Sequence, residues 1–473
     1  MIHSHIEKIL EHKLGHQPTD DQLIAIRGLA SFIAGNTNDS IFLLTGYAGT
    51  GKTSLISAMV HALNSFNLES VLLAPTGRAA KVLASYTGMA SFTIHKYIYR
   101  QKSSKDGMGR FELDRNMHRD AYFIVDESSM ISQEISEPSV FGSGRLLDDL
   151  IEYVYRGRNC KLVLVGDTAQ LPPVGSVLSP ALSVQDLSVY GFNIETAELR
   201  EVVRQSRESG ILMNATSIRK KVADNDLSVP GFTLEGYDDI LRINGETLLE
   251  ELEESYSRAG IDGTVIIVNS NRMANKYNQG IRNRILFREE EISSGDMLMI
   301  VKNNYFWAGE EENLDFIANG DIARIKKVLR KEERYGFRFA DMVLDFVDYS
   351  RELEVKVLLD TLGSESASLS GEQNRMLFEQ VLEDYSHLST KKKRYEAVRE
   401  DAFFNAMQIK FAYAVTCHKA QGGQWERVFV DQGMFNRKEP TMDYLRWLYT
   451  AVTRATDRLY LVNFLPAYFG GED

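Results

Sequence analysis

Short apolar runs alternate with stretches whose apolar residues recur at helical spacing, and that alternation predicts an α/β fold. Ser40-Ile41-Phe42-Leu43-Leu44-Thr45 reads as a buried strand, and Ser54-Leu55-Ile56-Ser57-Ala58-Met59-Val60 as the helix that follows it. Upstream, Thr19-Asp20-Asp21-Gln22 caps a helix with Leu23, Ile26, Leu29, Ala30 and Ile33 on one face. Residues 70–76 form a second buried strand leading into a helix at 77–83, and 121–125 and 161–165 continue the set. A later set at 264–268, 427–430 and 458–462 predicts a second α/β domain.

Two stretches break this rhythm. Between about 93 and 120 lies a turn-rich tip, Ser103-Ser104-Lys105-Asp106-Gly107-Met108-Gly109, flanked by Tyr97, Tyr99 and Phe111. It predicts a small hairpin excursion. From about 289 to 404 the character changes again. Residues 295–301, 319–325, 342–347 and 354–359 read as the short strands of a small β-barrel. Residues 372–407 then read as charged helix, in which Lys391-Lys392-Lys393-Arg394 is a solvated face.

Composition narrows the picture only slightly. The chain has 473 residues, enough for two to four domains, with 44% hydrophobic and 25% charged residues. No run approaches the ~18 apolar residues of a membrane span. The first residues lack the apolar core of a secretory signal. Two cysteines make no disulfide framework and fit a reducing, cytosolic setting. The net charge of −12 argues against coating nucleic acid by bulk electrostatics, yet leaves room for a track lined locally by Lys and Arg.

The chemistry sits at the ends of the apolar runs. Gly46-Tyr47-Ala48-Gly49-Thr50-Gly51-Lys52-Thr53 joins strand to helix and fits the G-x-x-x-x-G-K-[ST] phosphate loop. Backbone N–H groups of such a loop converge on phosphate oxygens, and a helix N-terminus adds positive potential. Gly46, Ala48, Gly49, Thr50, Gly51, Lys52, Thr53 and Ser54 are the expected contacts to ATP, with Thr53 on Mg²⁺. Asp126 and Glu127 end the strand at 121–125, where the first suits metal binding and the second water activation. Gln170, in Gly166-Asp167-Thr168-Ala169-Gln170-Leu171-Pro172-Pro173, is set to sense a γ-phosphate. Gln22 is a candidate for the adenine edge. An arginine in Leu199-Arg200-Glu201-Val202-Val203-Arg204-Gln205, and Arg454 near the C-terminus, are candidates to reach developing charge.

The ordered series of these motifs, together with Pro-Thr-Gly-Arg-Ala-Ala-Lys, Thr-Cys-His-Lys-Ala-Gln-Gly and Thr-Ala-Val-Thr-Arg-Ala, resembles the superfamily 1B DNA helicases, the RecD/Dda-like group that includes the Pif family. The resemblance runs from about residue 19 to 462. It implies two RecA-like motor domains, the first at 1–195 with a pin insertion near 96–120, the second at 196–288 and 405–473. The segment 289–404 would be an inserted Src-homology-like β-barrel with helices. It further implies ATP between the domains, Mg²⁺ on Thr53 and Asp126, and 5′ to 3′ movement on single-stranded DNA. Carried over by position, Lys52, Asp126, Glu127 and Gln170 serve hydrolysis, and Arg204 and Arg454 are arginine fingers. Gly422 adds a nucleotide contact. Pro75, Thr76, His95, Thr416 and His418 line the DNA track, and Phe111 is the expected wedge. The implied partners are single-stranded DNA, its junctions with duplex, and replication or repair proteins, for a monomeric cytoplasmic motor. Three alternatives stand beside it: a motor subunit of a helicase–nuclease complex, an ATPase acting on something other than DNA, and a non-catalytic scaffold.

Overall fold

The computed structural model describes residues 2–470 apart from 36–38, 103–109, 134–140, 204–208, 309–316, 347–350 and 434–439. The first half of the chain supplies β1 (Ser40–Gly46), β2 (Glu69–Ala74) and β3 (Ser91–Thr93). A two-stranded hairpin follows, β4 (Tyr99–Lys102) and β5 (Arg110–Leu113), and then β6 (Ala121–Val125), β7 (Lys161–Gly166) and β8 (Asn193–Leu199). Apart from the hairpin these strands form one parallel sheet in the order β3-β2-β6-β7-β1-β8. Every residue of β6 and β7 is buried, as unbroken apolar runs require in a sheet covered on both faces.

Alternate residues of β1 divide between the two faces. Phe42 and Leu44 pack with the helices Asp20–Ala34 and Lys52–Ser65, whereas Ile41 and Leu43 pack with Leu146–Arg156. Helix Ile2–Leu14, which the reading from Thr19 onward did not anticipate, buries Ile6, Leu10 and Leu14 beside the first group.

The domain boundary expected at 195/196 falls inside β8. This strand pairs with β1 from Ser40↔Asn193 to Gly46↔Leu199, so the first sheet extends to Leu199. As an edge strand β8 is only partly buried and carries no continuous apolar run to announce it.

The second half contributes β9 (Ile240–Ile243) and β10 (Thr264–Val268). After these come β11 (Met297–Ile300), β12 (Ile322–Arg334), β13 (Phe337–Phe346), β14 (Arg351–Leu358) and β15 (Met407–Phe411), and finally β16 (Ala414–Thr416), β17 (Trp425–Asp431) and β18 (Ala455–Val462). The second sheet is again parallel, ordered β16-β10-β17-β18-β9, while β11 to β15 close into a barrel. The fold is therefore α/β with two RecA-like halves and a β-barrel inserted into the second. The barrel keeps β15, which pairs antiparallel with β11 and parallel with β14. The return to the second sheet thus comes after Phe411 rather than at 405. Helices Gly371–Asp384 and Lys391–Arg399 cover one end of the barrel through Leu377, Val381 and Val398.

The insertion is pinned to its host by a buried carboxylate. Asp296 is fully buried and accepts from Arg282 Nε and Nη2 at 3.0 Å each, from Arg288, and from the Tyr413 hydroxyl at 2.9 Å. Among the described residues no helix is long and apolar enough to cross a membrane.

Candidate nucleotide site

Because β6, β7 and β1 are adjacent and parallel, their C-terminal ends lie along one sheet edge. That edge brings together Asp126 and Glu127 after β6, Asp167 after β7, and the glycine-rich turn after β1. Ligands of open α/β sheets sit at such carboxyl ends. Gly49 and Gly51 take φ of +75° and +83°, left-handed values that glycine adopts without strain. At Gly51 an added Cβ would lie 2.4 Å from Gln22 Nε2, so glycine there also serves close packing. The turn delivers Thr53 and Ser54 to the first turn of helix Lys52–Ser65, and Lys52 Nζ donates to the carbonyls of Gly46 and Tyr47 at 2.8 and 2.9 Å.

Asp126 is pushed up to about 7 by burial first and by Glu127 second, with Lys52 opposing both. Lys52 and Asp126 therefore face one another electrostatically although 74 positions separate them in sequence. Glu127 sits at φ +52°, a left-handed conformation rare for a residue with a side chain and often found where function over-determines the backbone. Among the described residues no group of three or more His, Cys, Asp or Glu gathers around a metal position. The donors expected for Mg²⁺ are the Thr53 hydroxyl and the Asp126 carboxylate, both hard oxygens, and Mg²⁺ takes the rest of its shell from phosphates and water. A buried carboxylate crowded by a second one suits a cation, so these residues fit the metal.

Gln22, the candidate for the adenine edge, braces the phosphate loop in this structure. Its side chain is fully buried, Oε1 accepts from Thr19 N at 3.1 Å, and Nε2 donates to Thr50 O at 3.0 Å. Both ends of the amide are engaged in a helix cap and in bracing the loop. Gln170 is buried, and its Oε1 has no hydrogen-bond partner, a costly arrangement that marks it as poised for one. Arg204 lies outside the described residues. The segment leading to it follows the loop closely: Tyr47 N donates to Leu199 O at 3.4 Å and Val203 N to Gly49 O at 3.0 Å.

Arg454 is buried within its own half. Nε donates to Thr450 O at 3.0 Å, Nη1 to Gly423 O at 3.3 Å and Nη2 to the Thr453 hydroxyl at 3.2 Å. The expectation that it points across the interface is not met in this conformation, because those oxygens hold it at the start of β18. Gly422, the other expected nucleotide contact in this half, faces a different part of the first half in this conformation. A Cβ there would meet Ala79 at 2.8 Å and Thr76 Oγ1 at 3.1 Å, so it packs against the track segment of the first half rather than the phosphate loop.

Other residues cross between the halves instead. The fully buried Tyr449 hydroxyl donates to Asp167 Oδ2 at 2.6 Å and accepts from Ala48 N, inside the phosphate loop, at 2.9 Å. Thr450 Oγ1 accepts from Leu171 N at 2.8 Å, and Arg446 donates to Thr168 O at 3.1 Å. Ala169 and Leu171 are buried in the hydrophobic core of the second half. From the helix Gly210–Asp224, Arg219 lies 4.0 Å over the Tyr47 ring, and its buried Nη1 has no hydrogen-bond partner. Tyr449 immediately precedes the Thr-Ala-Val-Thr-Arg-Ala motif that carries Arg454. Sequence reasoning took the charged residue and passed over the neutral one.

The expected track residues fall on both halves. Thr76 caps helix Gly77–Thr87 after Pro75, and Thr416 occupies the corresponding position before Cys417–Ala420 and the exposed His418. Arg78 stacks on Trp425 at 4.2 Å, next to the contact of Gly422 with Thr76. His95 packs on Tyr99 and Phe141, with centroids 5.8 and 5.0 Å away, and burial lowers it to about 4. Phe111 cannot be an exposed wedge. It is 3% exposed, with its ring 4.9 Å from Phe141 and 4.6 Å from Tyr305 next to the barrel, so it roots the hairpin. The tip, 103–109, lies outside the described residues.

Residues 19–229 match the family model for an AAA domain, and 411–462 match that for a UvrD-like helicase C-terminal domain. The chain is 23% identical to the ATP-dependent DNA helicase dda of Enterobacteria phage T4, over 89% of this chain and 93% of that protein. It is also 23% identical to uncharacterized protein R530 of Acanthamoeba polyphaga mimivirus, over 93% and 98%. To the ATP-dependent RecD2 DNA helicase of Deinococcus radiodurans it is 25% identical over 90% of its own length, spanning 47% of that relative. A solved Pif1 helicase from Bacteroides, in complex with ADP-AlF3 and ssDNA, aligns over 97% of this chain and 95% of its own at 14% identity and a TM-score of 0.47.

Proposed function

We propose that this chain, which belongs to the superfamily 1B helicases of the RecD/Dda-like, Pif-related group, is an ATP-driven translocase that moves 5′ to 3′ on single-stranded DNA and unwinds duplex ahead of it. The observation that carries this reading is the phosphate loop held between halves: Ala48 N and Asp167 of the first half share one hydroxyl, Tyr449, of the second. A triphosphate bound there changes the contacts by which the halves hold each other, which is how fuel is converted into relative movement.

In this reading Lys52 and the loop N–H groups bind the β- and γ-phosphates. Thr53 and Asp126 hold Mg²⁺, which neutralises developing charge when bound. Glu127 orients the attacking water, which can donate to Gln170 Oε1, while Gln170 Nε2 donates to the γ-phosphate. Arg204 enters from the connector. Arg454 contributes only after leaving the carbonyls of Thr450 and Gly423, so its engagement belongs to a different interdomain arrangement. Pro75, Thr76, His95, Thr416 and His418 grip the strand in alternation, and the hairpin splits the duplex. The two free, buried cysteines suit a reducing cytoplasmic location.

The test is ATP turnover with and without single-stranded DNA. The expected result is strong stimulation, lost by ~10³-fold or more in Lys52→Ala, as with other groups that stabilise phosphoryl transfer. Turnover indifferent to DNA would overturn the reading. Polarity is read separately, from unwinding of a 5′-tailed but not a 3′-tailed duplex.

A further inference from the structure

A cleft of about 410 Å³ opens at the root of the hairpin, lined among others by Phe92, Lys96, Tyr97, Arg100, Arg115 and Met117. The helix Ile94–Ile98 sends its side chains two ways: His95 goes to Tyr99 and Phe141, while Lys96 and Tyr97 line the cleft. The cleft is therefore a separate face of the element that carries a track residue.

Its chemistry differs from that of the whole chain. Three cations, Lys96, Arg100 and Arg115, line it against the single carboxylate of Asp114, on a protein whose net charge is −12. Asp114 pairs with Arg100 at 2.7 Å, and His118 is held by Glu69 and the Tyr97 hydroxyl at 2.9 and 2.8 Å, so the wall is built before any ligand arrives. Phe92 and Met117 are 36% and 71% exposed, and the Phe92 ring lies 5.5 Å from that of Tyr97. Cations beside exposed apolar and aromatic faces are what unpaired bases on a phosphate backbone require. Duplex DNA would use the charges and leave the faces idle.

We propose that this cleft binds the displaced single strand at a fork, with Lys96 and Arg115 on its phosphates and an unpaired base against Phe92 and Met117. The inference rests on the helicase reading and adds to it a second DNA contact outside the track. Holding the displaced strand at the root of the splitting hairpin opposes re-annealing behind it.

The test uses the full chain, fluorescence anisotropy, and two labelled DNAs: a duplex with a 5′ tail only, and a fork with both tails. Wild type is expected to bind the two-tailed fork about tenfold more tightly, the scale of one base–aromatic contact. Lys96→Ala/Arg115→Ala and, independently, Phe92→Ser should bring that ratio near one while keeping turnover stimulated by single-stranded DNA. The slope of log affinity against log salt on the fork should fall by about 1.4 in the double variant, for two lost phosphate contacts. A wild-type ratio of one, or a ratio maintained in both variants, overturns the proposal. Loss of DNA-stimulated turnover in wild type would instead strike the functional reading.

Discussion

Tyr449→Phe removes one oxygen and tests the junction between the halves. That oxygen donates to the Asp167 carboxylate at 2.6 Å and accepts from Ala48 N at 2.9 Å. Burial, and next Asp167, hold the phenol well above its ordinary value, so it remains a donor throughout the neutral range. A hydrogen bond to a charged acceptor contributes about 1.5–3 kcal/mol, and a buried N–H left without a partner costs about 1–3 kcal/mol. The two losses share one group and do not simply add, so about 3 kcal/mol is expected, or ~10²-fold in the equilibrium for separating the halves. Hydrogen exchange read by mass spectrometry on the peptide containing Ala48 reports this directly, with exchange ~10²-fold faster in the variant. Pairing the change with Asp167→Asn should give a combined effect well short of the sum of the two. Unchanged exchange at Ala48, or full additivity, would refute the argument that this hydroxyl links the halves.

Three further outcomes are expected. Gly51→Ala should weaken nucleotide binding in equilibrium titration, because its Cβ meets Gln22 Nε2 and its φ is +83°; adding Gln22→Ala should restore part of the loss. Asp296→Asn should lower stability by about 3–5 kcal/mol, since it leaves the buried Arg282 without its counter-charge, and thermal melting of the two proteins measures it. Burial lowers His95 from 6.5 to about 4, so between those values the unfolded chain binds the extra proton. Stability present above pH 6.5 should fall as pH drops towards 4, by about 3 kcal/mol, and urea titrations of His95→Asn should show a flatter acid limb.

The parts of this molecule that were legible in the sequence are those whose physics is local. A strand buried on both faces must be an apolar run, and a phosphate loop must carry glycines before Lys52-Thr53, so β1, β6 and β7 and their motif ends could be read directly. Edge strands were harder: β8 is half-exposed and lacks the run, and the first boundary slipped into it. The barrel lent β15 from a stretch that reads as belonging to the second sheet, because both demand the same buried pattern. Side-chain roles were hardest. Gln22 looked free because nothing in its neighbourhood reveals Thr50 O, 28 positions on. Tyr449 meets Asp167 and Ala48 from 282 and 401 positions away, distances over which sequence spacing carries no geometric information. Phe111 was chosen for its flank position, and its contact with Tyr305 arises only from folding.

The inserted barrel leaves its host and rejoins it at almost the same point. Met299 pairs with Lys410 across antiparallel strands, and Ala412 N donates to Met297 O at 3.0 Å. A module tethered by two neighbouring stalks can be enlarged, trimmed or exchanged for another without re-threading the sheet that bears it. The same arrangement makes that doorway a natural place to graft a foreign domain, a reporter or an anchoring handle onto this chain.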